Sequence, residues 1–411
     1  MRNTLIGSAV AALLAGAGAT IATPSLAQPK LSNDAIRIGV LTDMSGPYAS
    51  MGGQGSVIAA QMAIDDCLQA ECKGFKIDVV SADHQNKADI AAGRAREWIE
   101  RDKVDALVDL TNSAAALAVQ KLAAELGAVA MHSGPATTRL TNEDCTATGF
   151  HWMFDTYSLA AGTAAALTKL GHKDWYFLTV DYAFGHSLER DASKIVAEHG
   201  GKVTGTVRHP LNTPDFSSFL LQAQASKAAI VALANGGADT VNAVKQAREF
   251  GVGVGNQKLA ALLLFLSDIH ALGLESAQGL IYADGFYWDK DDASRAFAAR
   301  FEQRHKAKPT MVQGGVYSSV RHYLKAVTAA GTDEFQAVAK KMRELPINDP
   351  IMHNASIRDD GRVIHDTYLV EVKKPADSKG SWDYLKILAT IPADQAFQPL
   401  SQSTCKLVRK P

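Results

Sequence analysis

The chain has 411 residues, 47% of them hydrophobic and 7% aromatic, and its 42 Lys and Arg side chains nearly balance 43 Asp and Glu for a formal net charge of −1. That length suggests two or three domains, and the apolar content is that of a globular chain rather than a disordered or fibrous one. With no basic excess and no basic patch, nucleic acid and anionic membrane surfaces are not expected partners.

The first segment, MRNTLIGSAVAALLAGAGATIATPSLAQ, has one basic residue, Arg2, then an uncharged stretch closed by Ser25-Leu26-Ala27. This is the layout of a secretory signal over residues 1–27, cut after Ala27. A membrane anchor is the alternative, because the uncharged run is nearly long enough to span a bilayer. Its wealth of Gly and Ala and its shortage of Leu, Ile and Phe favour cleavage. The later run KLAALLLFL is too short to cross a membrane and is expected to be a buried strand. An exported chain with four cysteines, Cys67, Cys72, Cys145 and Cys405, is expected to form two disulfides in an oxidising compartment, for which three pairings exist. Cys67 and Cys72 could close a short loop after the first helix, leaving Cys145 to hold the C-terminal tail through Cys405. The spacings match no common zinc pattern, and no metal or cofactor is expected.

Strand and helix patterns then alternate. AIRIGVL, FKIDVVSA, VDALVDL and GAVAMHS are expected strands, separated by helices GSVIAAQMAIDDCL, KADIAAGRAREWIE (with Asn86 as its cap) and SAAALAVQKLAAEL. The motif restarts after the extended HWMFDT. LAAGTAAALTKL is helical, WYFLTV a strand, and SLERDASKIVAEHG a helix ending in glycine. Strands KVTGTVRH, AAIVALA and KLAALLLFL follow, then GLIYADGFYW, two strong helices and a late strand pair, TYLVEVKK and WDYLKILATI. Repeated β-α units build parallel sheets with helices on both faces, here one α/β motif used twice.

Two such lobes invite a cleft, with ligands beyond the carboxyl ends of the strands. The loops to weigh are LTDMSGPYASMGGQG, TNSAA, HSGPATT, DYAFG, ANGG and FLSD. The opening loop lacks the third glycine of a dinucleotide fingerprint and the Gly-Lys-Ser/Thr of a phosphate loop. It does place backbone amides at a helix start, which favours an anion or polar group. Thr111, Asn112 and Ser113 are each natural helix caps, but three together exceed what one cap needs and suit a carboxylate. Ser133, Thr137 and Thr138 repeat the arrangement one strand later. Ser133 beside His132 lacks the Gly-x-Ser-x-Gly elbow of a hydrolase, Asp83 and His84 point in opposite directions, and no nucleophile, base and orienting acid converge. The chain is not expected to be an enzyme.

Together IRIGVLTDMSGPYASMGGQG, VVSADHQNKADIAAGRAREWI, HSGPATTRLTNEDC, HWMFDTYSLAAG, DYAFGHSLERD, ADTVNAVKQAREFG and SAQGLIYADGFYW resemble the leucine/isoleucine/valine-binding family of periplasmic proteins, the substrate-binding subunits of ABC importers. The resemblance covers essentially the whole mature chain. It implies a type I periplasmic binding protein: an α/β fold of two Rossmann-like lobes, each a parallel sheet flanked by helices, joined by three crossovers. The crossovers are expected near Phe154–Ser158, Asp284–Phe286 and Arg362–Asp366. Lobe 1 would hold residues 34–155 and 286–363, lobe 2 residues 156–285 and 364–390, and 391–411 would form a tail.

Carried over position by position, the family's carboxylate loop falls on Thr111, Asn112 and Ser113. A second carboxylate turn falls on Gly134, Pro135 and Ala136, with Thr137 adjacent. The closing aromatic falls on Phe184, and a side-chain pocket residue near Met51. The family's amino-acid binders hold the ammonium with acidic groups on the second lobe. The matching places here are Ser158 and the apolar run Leu263 to Phe265, so an α-amino acid would need Asp181, Asp239 or Asp268 as a substitute. An apolar acid is the better expected guest, and sequences resembling this branch are associated with aromatic acids. Phe184 and Phe265 would supply ring contacts, while Tyr157, Asn235 (with Gly236 beside it) or His151 would answer a ring hydroxyl. The expectation is a monomer that captures a small carboxylate by hinge closure and delivers it to a permease with cytosolic ATPases. Branched-chain amino acid import is the alternative, and a ligand-sensing module a remoter one.

Overall fold

The computed structural model describes residues 30–253 and 255–409; the expected signal segment and its cleavage point lie outside them. In chain order the first elements are β1 (Ile36–Thr42), α1 (Gly53–Leu68), β2 (Ile77–Asp83), α2 (Ala88–Glu100), β3 (Ala106–Asp109), α3 (Ser113–Leu126), β4 (Val129–His132) and β5 (Gly149–His151). Next, α4 (Thr156–Leu159) runs through a π turn into α5 (Ala165–Lys169), followed by β6 (Asp174–Val180), α6 (Ala183–Glu198), β7 (Lys202–His209), α7 (Ser217–Ala225), β8 (Ile230–Ala234), α8 (Ala238–Glu249) and β9 (Lys258–Ala261). The chain continues with α9 (Leu266–Leu272), α10 (Leu274–Ala277), β10 (Ile281–Asp284), α11 (Asp292–His305), α12 (Met311–Ala330), α13 (Phe335–Glu344), β11 (Ser356–Ile357), β12 (Val363–Ile364), β13 (Thr367–Val372) and β14 (Leu385–Ile391).

One parallel sheet has the order β2-β1-β3-β4-β5 and a second the order β7-β6-β8-β9. Side chains alternate across a strand, so each sheet sends one set of apolar residues to each face. In β1 and β3, Ile36, Ile38, Val40, Ala106 and Val108 join the core beneath α1 and α12. Leu41 and Leu107 turn the other way, to Ala91, Ala95, Trp98 and Val119 of α2 and α3. In β8, Ile230 and Ala232 face one core and Val231 and Leu233 the other. These are the two α/β lobes that the resemblance implies.

Two local expectations change, and the late strand pair finds its place. Asn86 does not cap α2; Lys87 occupies the cap, and the Asn86 amide instead donates to Asp43 (2.7 Å) in the opening loop. KLAALLLFL is a strand only to Ala261. The chain then runs through Leu262–Phe265 into α9, whose first turn is held by the Asp268 carboxylate accepting the Phe265 amide (3.1 Å). The late strand pair is not part of either parallel sheet: β13 and β14 join β10 in an antiparallel sheet, packing Tyr282, Val370, Val372 and Leu385 on the second core.

The passages between the two lobes are pinned to one another by buried polar groups. Arg362, 0% exposed, donates to the carbonyls of Phe154 (3.1 Å) and Trp152 (3.0 Å), and its Nε lies 3.6 Å from the Asp155 carboxylate. Burial pulls the guanidinium down to about 10, against the pull of Asp155, so it remains charged at neutral pH. His365 meets the Met153 carbonyl at 2.8 Å. The C-terminal tail lies over this region: the Phe397 ring sits 4.1 Å from the Arg362 guanidinium carbon, and Arg358 donates to the Gln398 carbonyl (2.7 Å). The disulfides are Cys67–Cys72 and Cys145–Cys405, the second fastening the tail. No described helix is long and apolar enough to cross a membrane.

Candidate ligand-binding site

The opening loop is shaped by one carboxylate. Asp43 accepts from the amides of Gly46 (2.6 Å) and Tyr48 (2.9 Å) and from Asn86, an Asx-type turn that carries Tyr48 and Met51 toward the second lobe. The far end of the loop is tied to α12, where Thr310 Oγ1 donates to the Met51 carbonyl (2.6 Å) and Gln313 to that of Gly52 (3.2 Å).

At the end of β3 the backbone takes two consecutive left-handed residues, Asp109 (φ 78°) and Leu110 (φ 60°). Each such non-glycine residue costs about 1 kcal/mol or more, and the gain is a loop that brings Thr111 and Ser113 to the cleft. Asn112 is a cap, its Oδ1 accepting from Ala114 N (2.9 Å) and Ala115 N (3.2 Å). The Ser113 hydroxyl oxygen accepts from the amides of Ala136 and Thr137, both at 3.3 Å. Behind that turn, His151 Nε2 meets the Pro135 carbonyl at 2.7 Å. Burial holds the His151 ring well below its ordinary pKa, so it is neutral and donates this bond.

A cavity of only about 10 Å³ lies between the lobes, lined by Tyr48, Met51, Thr111, Ser113, Gly134 and Ala136 from one side and Tyr182, Phe184 and Leu263 from the other. That is room for about one water, far below the roughly 300–1,000 Å³ of ligand pockets, so a guest needs the two lobes to part. Of the residues singled out in the sequence, Met51, Thr111, Ser113, Gly134, Ala136, Phe184 and Leu263 meet here. Pro135 and Thr137 complete the turn behind them, and Gly236 backs the wall, a Cβ there reaching 3.1 Å from Leu263. The others lie outside the lining. Asn235 is engaged at both ends, donating to His209 Nε2 (3.1 Å) and accepting from Thr240 (2.7 Å). Phe265 packs on Phe154 with ring centroids 6.0 Å apart, and Tyr157 sits half-buried on α4.

The lobes are closed on one another. Tyr48 and Tyr182 share a hydroxyl–hydroxyl bond of 2.7 Å, Ala238 N donates to the Pro47 carbonyl (3.0 Å), and Thr137 and Ser187 hydroxyls meet at 2.8 Å. Thr138 Oγ1 donates to Asp191 (3.0 Å) and accepts from Arg190 (2.9 Å). Gly237 makes the backbone contact possible: its φ is 59°, and a Cβ would fall 2.3 Å from the Pro47 oxygen.

No lining residue is charged. Asp239 is spent on the amides of Asn212 (3.0 Å) and Thr213 (2.9 Å), Asp268 caps α9, and Asp181 faces His186 (2.7 Å) at the surface. Burial raises Asp239 to about 6 and Asp268 to about 7. One acid does approach the cavity, Asp109, whose carboxylate lies behind Thr111 and Gly134, 0% exposed. Sequence reasoning missed it, and the only signal was an acid as the last residue of an otherwise apolar strand. It also passed over Tyr48 and Tyr182, though both lie in loops at strand ends. Among the described residues, no group of three His, Cys, Asp or Glu side chains could hold a metal ion.

The family model for periplasmic binding proteins matches residues 35–380. Among solved structures, a periplasmic binding protein from Burkholderia mallei is 50% identical, with 92% of this chain and 100% of that one covered at a TM-score of 0.89. A branched-chain amino acid ABC transporter periplasmic ligand-binding protein from Burkholderia xenovorans is 40% identical, covering 90% and 99% at 0.81. An ABC transporter solute-binding protein from R. palustris, solved with benzoate, shares the fold at 20% identity, covering 90% and 99% at 0.80. No curated protein matches significantly. The chain belongs to the periplasmic binding protein family, the non-enzymatic solute-binding proteins of ABC transporters.

Proposed function

We propose that the protein captures a small organic carboxylate, best an aromatic acid of the hydroxybenzoate or hydroxycinnamate type, and presents it to its permease. The carboxylate would displace the Ser113 oxygen from the amides of Ala136 and Thr137 and take the hydroxyls of Ser113 and Thr111 as donors. Tyr182, Phe184, Leu263 and Met51 would cover the apolar body. Closure would turn on the passages between the lobes, two of which Arg362 and His365 tie together, and seal water out. The observation that carries this reading is the lining itself, with hydroxyls on one lobe, apolar and aromatic surface on the other, and no charge on either.

A branched-chain amino acid is the second reading, favoured by the description of the Burkholderia xenovorans relative. It would leave an ammonium in a lining with no acidic partner, a desolvation cost of several kcal/mol. Native mass spectrometry of protein purified without added ligand tests the choice. A retained organic acid supports the first reading; a retained amino acid overturns it.

A further inference from the structure

The acid behind the cavity has an arrangement that calls for a role. Asp109 ends β3 with a left-handed backbone, and its carboxylate occupies the space left by two missing side chains. A Cβ on Gly134 would fall 2.6 Å from Oδ1, and one on Gly52 would fall 2.9 Å from Oδ2. Both oxygens are sealed from solvent and neither makes a hydrogen bond of ordinary geometry, although Ser56, Thr42 and Thr111 surround it.

The groups facing it offer no compensating positive charge. From the opening loop comes Asp43, itself negative, which pushes the Asp109 carboxyl further up. From the neighbouring strand comes His132, its cross-strand partner, held down to about 3 by burial and therefore neutral. His84, beside Asp43, is neutral down to about 4 for the same reason. From α1, β1 and the Thr111 loop come only hydroxyls. Burial, with those hydroxyls pulling the other way, raises Asp109 to about 6.

Thr111 and Thr42 are hydrogen-bonded to each other, and Thr111 and Gly134 line the cavity. Ionised, Asp109 can only accept, which draws hydroxyl protons away from the ligand side; protonated, it becomes a donor and frees Thr111 to donate outward. A ligand carboxylate in the Ser113–Ala136 cradle would stand one glycine's thickness from this second carboxylate. We infer that Asp109 makes capture of a carboxylate proton-linked: the anion enters as Asp109 takes up a proton, so that one negative charge rather than two occupies the closed cleft. The inference rests on the carboxylate reading above.

The sign follows from linkage. In the free protein Asp109 is protonated below about pH 6, and the bound anion raises it further, so affinity is flat on the acid side. Above that point affinity falls by about tenfold per pH unit as each binding event takes up one proton. Two measurements test it. Infrared titration of the ligand-free protein, with Asp109→Asn as the blank, reads the carboxyl directly; a buried acid protonated near pH 6 is expected, and one ionised throughout down to pH 4 overturns the inference whatever the ligand is. Calorimetry with benzoate and 4-hydroxybenzoate, in buffers of different ionisation enthalpy at pH 6 to 8, counts the protons. Uptake that rises from about half a proton per anion near pH 6 toward one at pH 8 in the wild type, and none with a higher affinity at pH 8 in Asp109→Asn, is the expected result. Asn is the replacement that best tolerates the left-handed backbone. A variant that keeps the wild-type slope overturns the proton linkage alone. If amines bind and acids do not, with Asp109→Asn abolishing that binding, Asp109 is a counter-ion and the carboxylate reading falls with it.

Discussion

The hydroxyl pair Tyr48 and Tyr182 spans the cleft at 2.7 Å, one phenol from each lobe, so it exists only when the lobes are closed. Burial is the main reason that both phenols are raised well above the ordinary tyrosine pKa, with Tyr182 adding to the rise of Tyr48; both therefore stay neutral, and one hydroxyl donates to the other. Tyr48→Phe removes the bond, worth about 1 kcal/mol net, and leaves the Tyr182 hydroxyl facing a dry partner, which adds a desolvation penalty of about 1 kcal/mol or more. Because Tyr182 keeps some solvent exposure, the low end applies. The closed state should lose about 1–2 kcal/mol and ligand affinity should fall about 5- to 30-fold. Tyr48→Phe with Tyr182→Phe should cost less than the sum of the two singles, with a coupling of about 1 kcal/mol, because the double variant strands no hydroxyl. The assay is calorimetric binding of the acid recovered from the native protein, alongside thermal melts without ligand. Additive losses, or a ligand-free melting temperature that falls as far as the affinity does, would refute the claim that this bond belongs to closure.

Gly237→Ala places a methyl 2.3 Å from the Pro47 oxygen across the cleft; it should weaken binding at least about tenfold and enlarge the scattering radius of the liganded protein, and an unchanged radius would contradict the contact. The two disulfides close loops of very different size, with sequence separations of 260 and 5. Loop-closure entropy makes Cys145–Cys405 worth about 3.5 kcal/mol more than Cys67–Cys72; urea unfolding of paired serine variants checks this, and equal losses would contradict it. Asp105 is raised to about 7, chiefly by burial and further by Asp333. Its folded pKa exceeds the unfolded value of about 3.9, so its stabilising contribution is complete below that value and is lost as pH rises to about 7. Asp105→Asn should therefore gain on the wild type by about 1–2 kcal/mol between pH 5 and 8, allowing for its partial exposure; a constant difference in denaturation midpoint would refute the assignment.

The alternation that separates Ile36, Ile38 and Val40 from Leu41 is local, and so is the helical spacing of Ala91, Ala95 and Trp98. That is why two α/β lobes could be read along the chain. The Thr111–Ser113 loop was legible for the same reason, since its polar residues stand together at a strand end. What could not be read is what depends on several loops at once. Asp109 becomes a buried charge only because Gly52 and Gly134, from two other loops, leave it room. Asn235 is legible as polar, but its capture by His209 and Thr240 requires β7 and α8 to be in place. Arg362 has the composition of a surface residue, and its burial beneath Phe397 depends on a tail fastened by a disulfide. KLAALLLFL has the apolarity of a strand throughout, yet Asp268 turns its second half into a helix start.

The most direct test of the account is calorimetry with matched pairs that differ only in the α-amino group: leucine against 4-methylpentanoate, and phenylalanine against 3-phenylpropanoate. A cleft whose lining holds no charge should favour the amine-free acid of each pair by about a hundredfold or more, the consequence of burying an unpaired ammonium. Tighter binding of the amino acids, with the amine-free acids failing to bind, would contradict it.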